Sequence, residues 1–208
     1  ARASYPLPRG EDRLRWFTPL THQLAVFRSG DSALVVAAYE LPDSVPETQP
    51  FTAALATLMG VDSAPHVVTH EVEERRGVLS LEVPDGAMLL SLEVVSADRS
   101  GAGRARFGIE SRPLVPGVLA ASALLLVHAE SDTVATNRAA AVAQARGSTQ
   151  LRAGDRVGIY WEMYSPAVAW PPALEVSLRL VAAQTSWLRR LAERAGVVSE
   201  VQPIRLTW

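Results

Sequence analysis

"GVLSLEVPDGAMLLSLEVVSADRSGAGRARFGIES", residues 77–111, alternates apolar and polar side chains almost without interruption. Leu79, Leu81 and Val83 fall on one face, then Met88, Leu90, Leu92 and Val94, then Ala105, Phe107 and Ile109. Successive strand residues point to opposite faces, so this pattern predicts strands with one buried side. "PDG" and "DRSGAG" carry turn chemistry between the runs, which predicts a meander of three neighbouring strands.

The same alternation extends outward in both directions. "THQLAVFRSGDSALVVAAYEL" (21–41) predicts a hairpin turning at Ser29-Gly30-Asp31. "RVGIYWEMY" (156–164) divides into an apolar face of Val157, Ile159, Trp161 and Met163, expected inward. Gly158, Tyr160, Glu162 and Tyr164 lie opposite. "ALEVSLRLVAA" and the closing "IRLTW" repeat the pattern, whereas "FTAALATLMG" fits strand or helix. Trp161, Leu178, Leu90 and Phe107 are expected to share one core. Helix is predicted only in "TNRAAAVAQARG", capped by Asn137 and stopped at Gly147, and in "TSWLRRLAERAGVV" from near Ser186. The fold class expected is mainly β: an antiparallel β-sandwich of immunoglobulin-like character with one or two short helices. Residues 1–15 are expected to form an extended N-terminal tail, and 16–208 a single sandwich domain.

At 208 residues and 48% hydrophobic, the chain suffices for a globular core. A net charge of −2 supplies no basic field for nucleic acid. Every basic residue is arginine, in keeping with the codon bias of a GC-rich genome. There is no cysteine, which excludes disulfides, thiolate nucleophiles and cysteine zinc sites. The longest uncharged run, "PLVPGVLAASALLLVHA" (113–129), is broken by two prolines and reads as loop plus buried strand, not a membrane span. The opening "ARASYPLPRG" has no apolar export segment, so the expectation leaves open one that was removed.

The search for reactive chemistry finds little. "GAGRARFG" lacks the third glycine of a dinucleotide loop and reads as part of a hairpin. His66 and His70 have helical ligand spacing, but on a strand they stand about 13 Å apart, too far for one zinc ion. His22 and His128 are isolated, and Glu73-Glu74 sits beside Arg75-Arg76 as a solvated hairpin end. No catalytic residue, cofactor or metal is expected.

"GDRVGIYWEMYSPAVAWPP" (154–172) holds two of the five tryptophans and two of the four tyrosines. Tyr160 and Tyr164 either form a platform for a sugar or partner, or pack across strands. Trp170, held extended before two prolines, is either a binding anchor or a lid folded back on the sandwich. In the N-terminal tail, Arg2, Tyr5 and Arg9 are candidate partner contacts.

"LRAGDRVGIYWEMY", "ALEVSLRLV", "SWLRRLAERAG", "IRLTW" and "RSGDSALVVAAYELP" together resemble the β-sandwich region of bacterial GWxTD-domain proteins, over most of residues 16–208. The namesake Gly-Trp-x-Thr-Asp motif is absent, and the family carries no catalytic residues over. It implies an exported or envelope-associated protein. In overall character the chain is also similar to extrinsic periplasmic subunits of bacterial photosynthetic reaction-centre and light-harvesting complexes. These resemblances imply a non-catalytic extracytoplasmic accessory subunit, periplasmic and peripheral to the membrane. It would dock on protein subunits of a membrane complex, without nucleic acid or a small-molecule substrate. The alternative expectation is a carbohydrate- or peptide-binding β-sandwich module.

Overall fold

The computed structural model describes residues 17–42, 50–60, 64–72, 74–97, 102–129, 135–152, 154–164, 177–180 and 204–207. The chain divides into two compact units, 1–168 and 169–208. The expected tail over 1–15 lies outside the described residues, as does the helix expected from Ser186.

The first unit begins with β1 (Phe17–Pro19), β2 (Thr21–Ser29), β3 (Ser32–Glu40), β4 (Phe51–Leu58), β5 (His66–Val72) and β6 (Arg76–Pro84). Then come β7 (Gly86–Ser96), β8 (Ala102–Ser111), β9 (Ala120–Ala121), β10 (Leu125–His128), α1 (Arg138–Ala143), β11 (Val157–Tyr160) and β12 (Met163–Tyr164). The second unit contributes β13 (Ser177–Leu180) paired antiparallel with β14 (Ile204–Thr207). The protein is mainly β, a sandwich of antiparallel sheets with one short helix among the described residues. "FTAALATL" resolves as a strand, β4.

One sheet has the order β2-β3-β6 and the other β1-β8-β7-β4-β5. Their facing sides bury one cluster, with Val35, Tyr39, Leu79 and Val83 from the first and Leu55, Leu90, Leu92 and Val94 from the second. Phe107 and Ile109 pack at its margin. The inward faces read from 77–111 are therefore the buried ones. β1 runs parallel to β8, an exception among otherwise antiparallel pairings.

The meander is corrected in one respect. β7 and β8 are neighbours, but β6 pairs with β3 in the opposite sheet. The chain changes sheets across Pro84-Asp85-Gly86. Two amphipathic strands can present their apolar sides to one core from the same sheet or from opposite ones, and alternation does not distinguish these arrangements.

A partial third layer covers the other side of β2 and β3. Leu125, Val127, Ala141 and Ala145 close there on Ala25, Phe27, Val36 and Ala38. β3 is thus buried on both faces, which is why "ALVVAAY" reads as a continuous apolar run. Buried Gln23 ties this layer down. Its amide nitrogen donates to the carbonyls of Leu126 and Arg146, both at 2.9 Å, and its oxygen accepts from the Leu126 amide at 2.7 Å.

The facing of β11 is also corrected. Tyr160, from the side expected outward, packs on this second cluster, its ring 5.9 Å from that of Phe27. Trp161 is half-buried and belongs to neither buried cluster, while Leu90 and Phe107 share the first. The side chain of Leu178 lies outside the described residues. The apolar count favoured the other face, but Tyr160, Glu162 and Tyr164 find polar partners that make burying their own side favourable.

Candidate functional site

The densest polar cluster grows from that face. Tyr160 ends β11, Tyr164 ends β12, and Glu162 lies in the short break between them, where the three side chains meet. The Tyr160 hydroxyl donates to Glu162 Oε1 at 2.8 Å and the Tyr164 hydroxyl to Oε2 at 2.7 Å. From the first turn of α1, Arg138 adds a fork: Nε to Oε1 at 2.8 Å and Nη2 to Oε2 at 2.5 Å. Asn137 places that arginine, its side-chain oxygen accepting from the Ala140 amide at 2.9 Å as the helix N-cap. The Arg138 guanidinium also stands 5.6 Å over the Phe27 ring.

Each Glu162 oxygen accepts two hydrogen bonds, so its usual acceptor sites are all filled. The hydrogen bonds from Arg138 hold the carboxyl below its usual range, against the opposing effect of burial. The bonds from Tyr164 and Tyr160 act in the same direction as Arg138. Burial, with Glu162 beside it, pushes the Tyr164 phenol up to about 12. At neutral pH this is an ionised acceptor saturated by its own donors. It has neither a proton to give nor a lone pair to offer a substrate.

A second cluster marks the sheet-to-sheet crossing. Arg28 pairs with Asp85, and the Ser111 hydroxyl donates to the same carboxylate oxygen at 2.6 Å. Burial raises the Asp85 carboxyl, but the hydrogen bonds from Arg28 and Ser111 and the Arg28 charge outweigh it and leave it lowered. Arg28 further donates to the carbonyls of Arg112 at 3.3 Å and Gly30 at 3.2 Å. Its backbone amide donates to the Tyr164 hydroxyl at 3.0 Å, linking the two clusters.

A cleft of about 1080 Å³ opens between β6 and α1, with Leu34, Val78 and Val142 as apolar lining and Glu74, Arg76 and Arg138 among its charged residues. Neither Tyr160 nor Tyr164 is among its lining residues.

Of the expected contacts, Tyr160 and Tyr164 are brought together on Glu162, whereas Arg2, Tyr5, Arg9 and Trp170 lie outside the described residues. His66 and His70 occupy exposed positions of strand β5. His22 donates from Nδ1 to the Leu20 carbonyl at 2.6 Å, and its ring lies tilted 4.8 Å from that of Phe107. Sequence reasoning missed Arg138, Glu162 and Arg28. The Tyr-x-Glu-x-Tyr spacing, an acceptor between two donors on one face, was the available signal for Glu162.

No protein-family model matches the chain, and no curated protein sequence matches it. Among solved structures it is similar to wild-type OgpA from Akkermansia muciniphila, at 12% identity and a TM-score of 0.34. That alignment covers 46% of this chain and 29% of OgpA. Catalytically inactive OgpA, crystallised with an O-glycopeptide (glycodrosocin) substrate, aligns at 13% identity and a TM-score of 0.31, with the same coverage. The chain thus spans less than a third of the length of OgpA. A likeness of this degree transfers neither architecture nor activity.

Proposed function

We propose that the chain is a non-catalytic docking module, an accessory subunit that seats on a larger extracytoplasmic assembly at a membrane surface. The observation that carries this reading is the exposed apolar stretch after β8. Val115 is 59% exposed and Val118 51%, with Leu119 and Leu124 also exposed, inside a run without any charge. Contiguous exposed apolar side chains of this kind mark interaction surfaces. The polar clusters, by contrast, are engaged internally, which speaks against a reaction at Glu162 or Asp85. No described residue favours a photosynthetic partner over another.

The test is affinity purification of the full chain from its native membrane fraction, after mild cross-linking, with co-purifying subunits identified by mass. Stoichiometric recovery of membrane-complex subunits is expected. Pigment absorption in the same eluate would identify a reaction-centre complex. Recovery of the chain alone would refute the docking reading. A second reading, a peptide- or carbohydrate-binding module, has the cleft between β6 and α1 in its favour. Saturable shifts of Val78 and Val142 amide resonances with glycans or peptides would support it.

A further inference from the structure

We infer that residues 113–119 form a preset apolar tip that seats in an apolar groove with a basic rim on the partner protein. This rests on the docking reading above and deepens it. Val115-Pro116-Gly117-Val118 closes as a β-turn, the Val118 amide donating to the Val115 carbonyl at 3.1 Å. Proline fixes φ at the second position, and Gly117 takes a φ of 78° at the third, the pairing that a type II turn requires. The turn leaves Val115 and Val118, with neighbouring Leu119, exposed to solvent.

Both feet of this loop are tied to one residue. At the outgoing foot, Arg28 Nη1 donates to the Arg112 carbonyl. At the returning foot, Ala120 pairs with Tyr164, whose hydroxyl accepts the Arg28 amide. Glu162 in turn fixes Tyr164 and also Ser122, just beyond β9: the Ser122 amide donates to the Glu162 carbonyl, and the Glu162 amide donates to the Ser122 hydroxyl. A loop clamped at both ends loses little conformational entropy on docking, so its apolar contacts translate more fully into affinity. The aromatic segment 160–164 thereby acts as the support of the tip, and Arg28 as its positioning residue.

The charge around the tip selects the partner. Arg28 is paired with Asp85, and Arg112 with Glu110. Asp31, in the β2–β3 turn, and Glu82, bonded to Ser29, are both exposed at the same end of the sandwich. Among the described residues, the surplus charge there is therefore negative. Surplus acidic charge at the end that carries an apolar tip complements a basic-rimmed apolar groove and is repelled by an anionic bilayer.

The full chain carrying a photoreactive amino acid at position 118 is cross-linked in native membranes and compared with the same probe at Ser80, in the cleft. The expected product from 118 is one partner peptide that is apolar and flanked by Arg or Lys. Val118→Asp should reduce partner recovery by about tenfold or more, a loss typical of a central interface contact, without shifting the melting temperature. If that variant melts early, Val115→Ser supplies the same measurement. Partner recovery unchanged in folded variants overturns the inference and leaves the docking reading standing. Cross-links to lipid alone, or flotation with phosphatidylcholine vesicles lost in Val118→Asp, replace the protein groove with a membrane. If the wild-type chain recovers no partner, the docking reading fails and this inference with it.

Discussion

Tyr39 is fully buried in the principal core, with its hydroxyl over Gly77, where a Cβ would stand 2.6 Å from the oxygen. That hydroxyl has no hydrogen-bond partner among the described residues. An unpaired buried hydroxyl costs about 1–3 kcal/mol of desolvation. Tyr39→Phe is therefore expected to stabilise the protein by about 1 kcal/mol in urea titration at pH 7. A loss of that size instead would reveal a partner for the oxygen. Burial, and secondarily the charge of Glu74, pushes this phenol from 10.0 up to about 12. The folded state thus keeps a proton that the unfolded chain releases. The stability this represents is fully present below pH 10.0 and is lost as pH rises through about 12. Tyr39→Phe should make the alkaline limb of a stability profile shallower, with the similarly raised Tyr164 sustaining what remains.

Through Glu162 a single carboxylate joins α1, β11 and β12, and through Tyr164 it reaches β2. Glu162→Gln exchanges charge-assisted bonds for neutral ones and leaves one amide hydrogen-bonding mismatch, an expected cost of about 2 kcal/mol. The folded carboxyl titrates below its ordinary 4.5, so its stabilisation is fully present above that pH and is lost as pH falls through the lowered folded value. The gap between wild type and Glu162→Gln, followed by chemical denaturation, should accordingly narrow on acidification. A gap that is constant with pH would show that the charge is immaterial. Gly147 acts on β3 differently. A Cβ there would stand 2.3 Å from the Tyr39 carbonyl carbon and 2.6 Å from the Glu40 amide nitrogen, both backbone atoms. The sequence reading made it a helix stop, but α1 already ends at the Gln144 cap. Its role is close approach of the chain to β3. Gly147→Ala should cost about 1–3 kcal/mol, as overpacking does, and a melting temperature equal to wild type would refute the contact.

At the scale of the whole molecule, the sandwich was legible because its strands present one apolar face each. The buried positions Leu79, Met88, Leu90, Leu92 and Val94 could be read directly from period two. The change of sheet at Asp85 was not legible, since it depends on Arg28, far away in sequence. Nor was the facing of β11, where Glu162 is paired with an arginine from a helix and apolar count pointed the other way. Long-range polar pairing leaves little trace in local periodicity. The same long-range contacts decide which part of the chain folds alone. Both buried clusters, and every residue described as packing on them, lie between Leu20 and Tyr160, inside the first compact unit. A compact unit that holds the described residues of both clusters should form its core without the remainder of the chain. Residues 1–168 produced alone are expected to melt cooperatively and to retain the near-ultraviolet circular dichroism of a fixed aromatic environment. A non-cooperative melt with dye-binding apolar surface would show instead that residues 169–208 are required to complete the fold.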